Sequence, residues 1–327
     1  MRAVRFDSYG GPEVLTLVET AAPEPGPGEV SIDVRYAGVN FAEVMFRRGQ
    51  FRPGTPHVPG LEVTGTVRAV GEGVRTLRPG QRVAALTLAG GGYAEVAVAR
   101  EQLTVALDGE LDAIPAPVAA AFPCNLPVSW AILHEVARVR TGESVLVLAG
   151  AGGVGSGAAQ IARHLGAGAV YGAVSSPAKA AFAKERFGYD AVLTYDQLEH
   201  RLPELTGGRG VDVLLDSIGG PLRARALDLL APLGRHVVYG NASQQDHGYE
   251  ANQLWYTAKT VAGYNIGGLA DQRPELVHGH LREAARLLAS GAVRIETTEL
   301  ALEDVAEAHR ILERRDSTGK FVLRVTP

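Results

Sequence analysis

Before Pro115, apolar and polar positions alternate with a period of two. Val30, Ile32, Val34 and Tyr36 alternate with Ser31, Asp33 and Arg35, and Val63, Gly65, Val67 and Ala69 repeat in the same way. This is the pattern of strands buried on one face. Clusters of Gly and Pro at 23–28, 53–60, 71–73, 79–80 and 90–92 punctuate them. Many short strands with such turns predict an all-β, barrel-like domain. After Pro115 the pattern changes to continuous apolar runs at 145–148, 169–174, 191–194, 211–216, 236–239 and 261–265, separated by helical periodicity. Apolar strands alternating with helices predict a parallel sheet covered on both faces. Past Gly267 the spacing predicts two amphipathic helices, at 275–290 and 302–314, and a last strand at 321–325. The expected fold class is α/β, with a Rossmann doubly wound sheet over 117–266 and a β-rich domain formed by 1–116 and 267–327.

The first of these apolar strands runs into a glycine-rich turn, Val145-Leu-Val-Leu-Ala-Gly-Ala-Gly-Gly-Val-Gly155. Val154, Ala158, Ile161, Ala162 and Leu165 then recur at helical spacing, so the turn opens a helix. Gly150, Gly152 and Gly155 fit G-x-G-x-x-G, with Gly153 and Val154 between them. In a dinucleotide site such glycines permit a tight turn and close approach of the backbone to a pyrophosphate, which the helix N-terminus holds. With 40 glycines in 327 residues the motif alone means little. The strand before it and the helix after it supply the context it needs.

The kind of dinucleotide is read from a missing residue. An NAD site carries an Asp or Glu about 20 residues on, at the end of the second strand, bonded to the ribose 2′-hydroxyl. Here that strand ends in Ser175-Ser176-Pro177, and no acidic residue occurs between Glu143 and Glu185. Lys179 follows in the first turn of a helix, where the dipole disfavours a cation unless an anion lies nearby. A 2′-phosphate would be that anion, with Ser175 as a hydroxyl donor; the alternative for Lys179 is a solvated surface lysine. NADP(H) is the expected cofactor.

Composition narrows the class. A net charge of −4 and 6% aromatic residues argue against a nucleic-acid surface. No apolar run approaches the ~20 residues of a membrane span, and the N-terminal Met1-Arg-Ala-Val-Arg-Phe6 enters strand-like sequence without a signal-peptide core. The single cysteine, Cys124, excludes an internal disulfide and a multi-thiolate zinc lobe. A soluble cytoplasmic protein is expected.

The motifs Ala37-Gly-Val-Asn-Phe-Ala-Glu43, Pro59-Gly-Leu-Glu-Val-Thr-Gly65, the Ala-Gly-Gly-Val-Gly loop ending at Gly155, Asp216-Ser-Ile-Gly219, Gly240-Asn-Ala-Ser243 and Ser317-Thr-Gly-Lys320 follow one another along the chain. Together they resemble the medium-chain dehydrogenase/reductase superfamily and, within it, the zinc-free quinone oxidoreductases related to ζ-crystallin. The resemblance runs end to end. It implies a GroES-like barrel for the β-rich domain and a homodimer formed by the edge of the sixth Rossmann strand, for which the apolar segment Thr260-Val-Ala-Gly-Tyr-Asn-Ile266 is suited. It also implies that Asn40 orients the nicotinamide, the alternative being an asparagine that satisfies its own turn, and that Tyr195 packs near the adenosine and phosphates, although Tyr195 also reads as an aromatic at the edge of the core. Asn241 and Ser243 after the fifth strand, and Tyr264 and Asn265 in the sixth, are assigned to the nicotinamide end. Glu62 is read as structural.

The zinc-dependent branch of that superfamily has a cysteine where this chain has Asn40 and a histidine where it has Leu61. Neither residue supplies the thiolate or imidazole that catalytic zinc requires, so no metal site is expected and Cys124 reads as a small buried hydrophobe. One departure from the quinone reductases stands out. Met45 occupies the position of a tyrosine that many of them carry, so a hydroxyl role there is not transferred. His57 reads as a solvated loop histidine. The expected activity is NADPH-dependent hydride transfer to quinones or other α,β-unsaturated carbonyl compounds. An enoyl-thioester or 2-alkenal reductase is the alternative, and an NADPH-binding structural or RNA-associated protein is the rival outside enzymes.

Overall fold

The computed structural model describes residues 1–326. They divide into two units, one of Met1–Pro127 with Gly267–Pro327 and one of Val128–Ile266. In chain order the strands are β1 (Arg2–Arg5), β2 (Thr16–Glu19), β3 (Glu29–Gly38), β4 (Glu62–Val70), β5 (Arg82–Leu86), β6 (Val96–Arg100), β7 (Thr104–Ala106), β8 (Ser144–Leu148), β9 (Ala169–Val174), β10 (Ala191–Thr194), β11 (Val211–Asp216), β12 (Leu230–Val238), β13 (Thr260–Gly263), β14 (Thr297–Ala301) and β15 (Lys320–Arg324).

The first unit is built around β3. One side of it pairs antiparallel with β4; the other pairs with β6 through residues 29–33 and with β15 through residues 36–38. The sheet runs β14-β15-β3-β4-β5-β7, with β6 branching from β3. Val30, Ile32, Val34, Val63, Val67, Val83 and Leu323 face one core, and each such side chain stabilises the fold by ~1.5–3 kcal/mol. Gly65 is required where β3 and β4 close on each other, because a Cβ there would lie 2.0 Å from the Asp33 carbonyl.

Three expectations for this unit change. Ser31, read as outward-facing, is buried, because β3 bulges between Ser31 and Ile32 and the alternation slips there. The unit is not all-β: the Phe41–Arg47 helix follows β3, started by Asn40 as N-cap with the Glu43 carboxylate accepting the Asn40 N–H. Residues 117–127, expected in the Rossmann domain, fold with the first unit. There the Ala116–Ala121 helix lays Ala120 and Ala121 on Tyr36 and Val322, and the Cys124 N–H donates to Glu62 at 2.7 Å.

In the second unit all six strands are parallel, in the order β10-β9-β8-β11-β12-β13. Numbered from β8, this is the doubly wound order 3-2-1-4-5-6. Strands β9, β10 and β11 have the expected bounds, and every residue of β8 is buried. Two bounds differ. Strand β12 begins at Leu230, ahead of Pro232, and Leu233 turns it with a φ of 63° before regular pairing resumes at Arg235. Strand β13 ends at Gly263, so Tyr264 and Asn265 follow the strand rather than lying in it. Beyond this unit the long helix spans Pro274–Ala289 and the later one Val305–Glu313, while the Ile266–Gln272 helix and β14 escaped the sequence pattern.

Candidate active site

Strand β8 leads into the glycine turn at the carboxyl end of the parallel sheet. Ala149 takes a φ of 54°, Gly152 is the N-cap, and the Gly153–His164 helix begins directly after it. A Cβ on Gly155 would stand 2.4 Å from the Ala149 carbonyl oxygen and 2.9 Å from the Gly150 Cα, so only glycine lets the helix start this close to the turn. The Gly150 N–H donates to the Ala173 carbonyl at 3.1 Å, which ties the turn to the end of β9. Beneath it the buried Tyr189 hydroxyl lies 3.0 Å from the Gly150 carbonyl and 2.9 Å from that of Gly155, sharing its proton between them. The first helical turn, with Gly153, Val154 and Gly155, presents backbone N–H groups as an anion cradle.

Ser175 follows β9 and is exposed. Ser176 caps the Pro177–Phe187 helix by accepting from the Lys179 N–H at 3.4 Å, which sets Lys179 in the first turn. The segment that leaves this strand end, through to Lys184, contains no acidic residue. Tyr195 comes directly after β10 and leans on the core beside that strand.

Two loops lie beyond β11 and β12. The Ala242 N–H donates to the Ser217 carbonyl at 2.9 Å and the Ser243 N–H to that of Ile218 at 2.8 Å. The Ser243 hydroxyl donates to Asn241 Oδ1 at 3.2 Å. Gly219 has a φ of 77°, and a Cβ on it would fall 2.9 Å from the Gln245 carbonyl oxygen, so the loops fit only with glycine there. The Tyr264 N–H bonds the Val238 carbonyl at 2.9 Å, which puts Tyr264 and Asn265 next to the end of β12.

Asn40 lies in the first unit, within a buried polar cluster. Its Oδ1 accepts from the Lys320 ammonium, and its Nδ2 donates to Glu62 Oε1 at 2.8 Å. An ammonium only donates and a carboxylate only accepts, so the amide has one chemically allowed orientation. Glu62 also pairs with Lys320, and both side chains are buried. Glu43 accepts from the Leu61 N–H at 2.8 Å and from the Tyr93 hydroxyl at 2.9 Å. Burial pushes the Glu43 carboxyl up to about 7, with Lys320 opposing, and burial together with the Glu43 carboxylate raises Tyr93. His309, behind Tyr93, is brought down to about 3 by burial and by Arg47, so it is neutral. His57 is packed rather than solvated: its ring lies 5.3 Å from that of Phe6, and burial lowers its pKa.

The structure thus gathers Gly150, Gly152, Gly153, Val154, Gly155, Ser175, Lys179, Tyr195, Asn241, Ser243, Tyr264 and Asn265 at the carboxyl ends of one sheet, within one unit. Sequence reasoning missed Tyr189, Glu43, Tyr93 and Lys320. Lys320 had a signal, since a lysine directly before the apolar Phe321-Val-Leu323 of a buried strand needs an anion; Tyr189 had none. Among the described residues, no helix is long and apolar enough to cross a membrane.

A doubly wound sheet, a glycine cradle and a second unit with a buried polar centre define a nicotinamide-dinucleotide oxidoreductase of two-domain type. The families described as "Alcohol dehydrogenase GroES-like domain" and "Zinc-binding dehydrogenase" match residues 26–109 and 153–287. A quinone oxidoreductase of Pseudomonas aeruginosa is 35% identical over 98% of this chain and 99% of its own. The crystal structure of a Pseudomonas syringae quinone oxidoreductase superposes with a TM-score of 0.91 at 34% identity, covering 99% of both chains. That of the Escherichia coli quinone oxidoreductase complexed with NADPH gives 0.90 at 31% identity, covering 99% of this chain and 100% of the other. The chain belongs to the quinone oxidoreductase family of the medium-chain dehydrogenase/reductase superfamily, and it is an oxidoreductase.

Proposed function

We propose that this protein is an NADPH-dependent, zinc-independent reductase of quinones or related α,β-unsaturated carbonyl compounds. The observation that carries the cofactor assignment is the end of β9, where Ser175 and Lys179 follow the strand and the sequence has no acidic residue. Gly150, Gly152, Gly153, Val154 and Gly155 would hold the pyrophosphate, Ser175 and Lys179 the 2′-phosphate, and Tyr195 the adenosine side. Asn241, Ser243, Tyr264 and Asn265 would take the nicotinamide end, with Asn40 orienting it. The cofactor supplies a hydride when bound; the chain orients it, and water reaching the acceptor supplies the proton.

The residues do not fit catalytic zinc. The Asn40 amide is engaged by Lys320 and Glu62, Leu61 has no donor atom, and burial next to Glu62 raises the Cys124 thiol and so disfavours thiolate. Catalytic zinc requires three protein ligands, drawn from thiolate, neutral imidazole and carboxylate, with one position left open.

The test is a pair of dissociation constants, for NADPH and NADH, with the parent and Lys179→Ala. A hydrogen bond to a charged group contributes ~1.5–3 kcal/mol, so NADPH binding is expected to weaken roughly 10- to 100-fold while NADH binding stays unchanged. Equal weakening of both would make Lys179 structural. Turnover against a panel of quinones, enals and enoyl thioesters, with and without a chelator, is expected to favour quinones and to survive chelation.

The assembly proposed is a homodimer formed by a second copy pairing along β13. That strand ends the sheet and is only partly covered. Beside it Leu233, Trp255 and Tyr256 are 75%, 71% and 77% exposed, apolar surface that a two-fold partner would cover. Light scattering at micromolar concentration is expected to give the mass of two chains; a monomer would contradict the pairing.

A further inference from the structure

We propose that Arg223 is a positioning residue for the nicotinamide half of the cofactor, acting through the loops that carry Asn241 and Ser243. The inference rests on the NADPH reading above. In the sheet, β8 lies between β9 and β11. A pyrophosphate on the turn after β8, with the adenosine half over β9, leaves the other half over the carboxyl ends of β11 and β12. Those ends continue into the 217–219 and 240–243 loops.

Arg223 sits on the Gly220–Ala224 helix behind these loops and is 3% exposed. Its guanidinium spans three acceptors. Nε donates to Asp216 Oδ2 at 2.8 Å, Nη2 to the Gly240 carbonyl at 2.5 Å and Nη1 to Asp246 Oδ1 at 3.2 Å. One planar cation therefore fixes the end of β11, the start of the loop after β12, and that loop's outer limb.

The anchor at Asp216 is itself overdetermined. Its Oδ1 accepts from the Ile218 N–H at 2.7 Å and the Gly219 N–H at 2.9 Å, which shapes the first loop. Its Oδ2 also faces His236 Nε2 at 3.3 Å. Because a carboxylate only accepts, Nε2 donates to it, and Nδ1 lies 3.0 Å from the Tyr249 hydroxyl. Burial alone would raise the Asp216 carboxyl, but the bonds from His236, Gly219 and Arg223 hold it below its ordinary value. Asp216, Arg223 and His236 are all buried beneath the loops, so they act by setting where Asn241 and Ser243 stand.

The test compares NADPH with 2′,5′-ADP, which has the adenosine and 2′-phosphate but no nicotinamide, by calorimetry on the parent and on Arg223→Lys. A lysine keeps the charge beside Asp216 and reaches fewer acceptors. We expect 2′,5′-ADP affinity within about twofold of the parent and NADPH affinity about 10-fold weaker, a loss on the scale of one hydrogen bond to a charged group. Equal weakening of both ligands, or no change in either, would overturn the proposal, the first because Arg223 would then be merely structural. A parent that binds neither ligand would instead overturn the NADPH reading itself. Should Arg223→Lys fail to fold, Tyr249→Phe, which removes one hydroxyl from the far end of the network, is expected to shift the NADPH to 2′,5′-ADP ratio about threefold the same way. An unchanged ratio there would also overturn the proposal.

Discussion

Gly155→Ala is expected to weaken NADPH binding about 100-fold or more, and to do so by moving backbone. The added methyl carbon would stand 2.4 Å from the Ala149 oxygen and 2.9 Å from the Gly150 Cα, both main-chain atoms that no rotamer change relieves. The first turn of the helix must therefore back away from the turn, at an overpacking cost of about 1–3 kcal/mol. The same movement shifts the N–H groups that would face the pyrophosphate. Losing two charge-assisted bonds of ~1.5–3 kcal/mol each accounts for the expected fall in affinity. Tyr189 resists the movement, since its hydroxyl is bonded to the carbonyls on both sides of the turn. Calorimetry with NADPH and with 2′,5′-ADP should show both weakened, because the pyrophosphate side lies upstream of either half. An unchanged affinity would mean the cradle holds no phosphate.

Lys320→Met is expected to destabilise the first unit by about 3–5 kcal/mol, because removing one partner of a buried pair leaves the other charge uncompensated. The partner is Glu62, which is fully buried. Without the ammonium, Asn40 Oδ1 also loses its donor and the amide is no longer held in one orientation. Thermal melting should fall by roughly 10 °C. The decisive comparison is Lys320→Met combined with Glu62→Gln. Removing both charges should recover part of the lost stability, since the burial penalty goes with them. A double variant no more stable than the single one would show that packing of the lysine stem, not its charge, holds the site.

The parallel sheet was legible in the sequence because its strands are covered on both faces. Runs such as 169–174, 191–194 and 211–216 are mostly apolar, broken only by Thr194, Asp212 and Asp216, and their short length and β-branched content favour strands. The glycine turn was legible for a similar reason, since spacing, strand and helix all agree. What escaped depends on contacts between distant residues. The Phe41–Arg47 helix is short, and its Asn-x-x-Glu start reads equally as a family motif or a cap. The bulge at Ser31 follows from the pairing of β3 with β4, which no local pattern encodes. Arg223 looks like a surface polar residue in sequence, and is buried because the fold brings it onto Asp216 at the end of β11. The 117–127 segment was misplaced because its alanines suit either unit; contacts to Tyr36 and Val322 decide the matter.

The strand order of the first unit also sets a timetable for synthesis. Strand β3 needs β15 along residues 36–38, and Asn40 and Glu62 need Lys320, the first residue of β15. On a ribosome those partners emerge last, whereas every strand of the second unit has been made by Gly263. Domains tend to fold as they leave the ribosome, N-terminal first, yet here the N-terminal unit waits for the tail while the nucleotide-binding unit already has all its strands. Until then Glu62 lacks its cation, and residues 36–38 of β3 have no strand beside them on that edge.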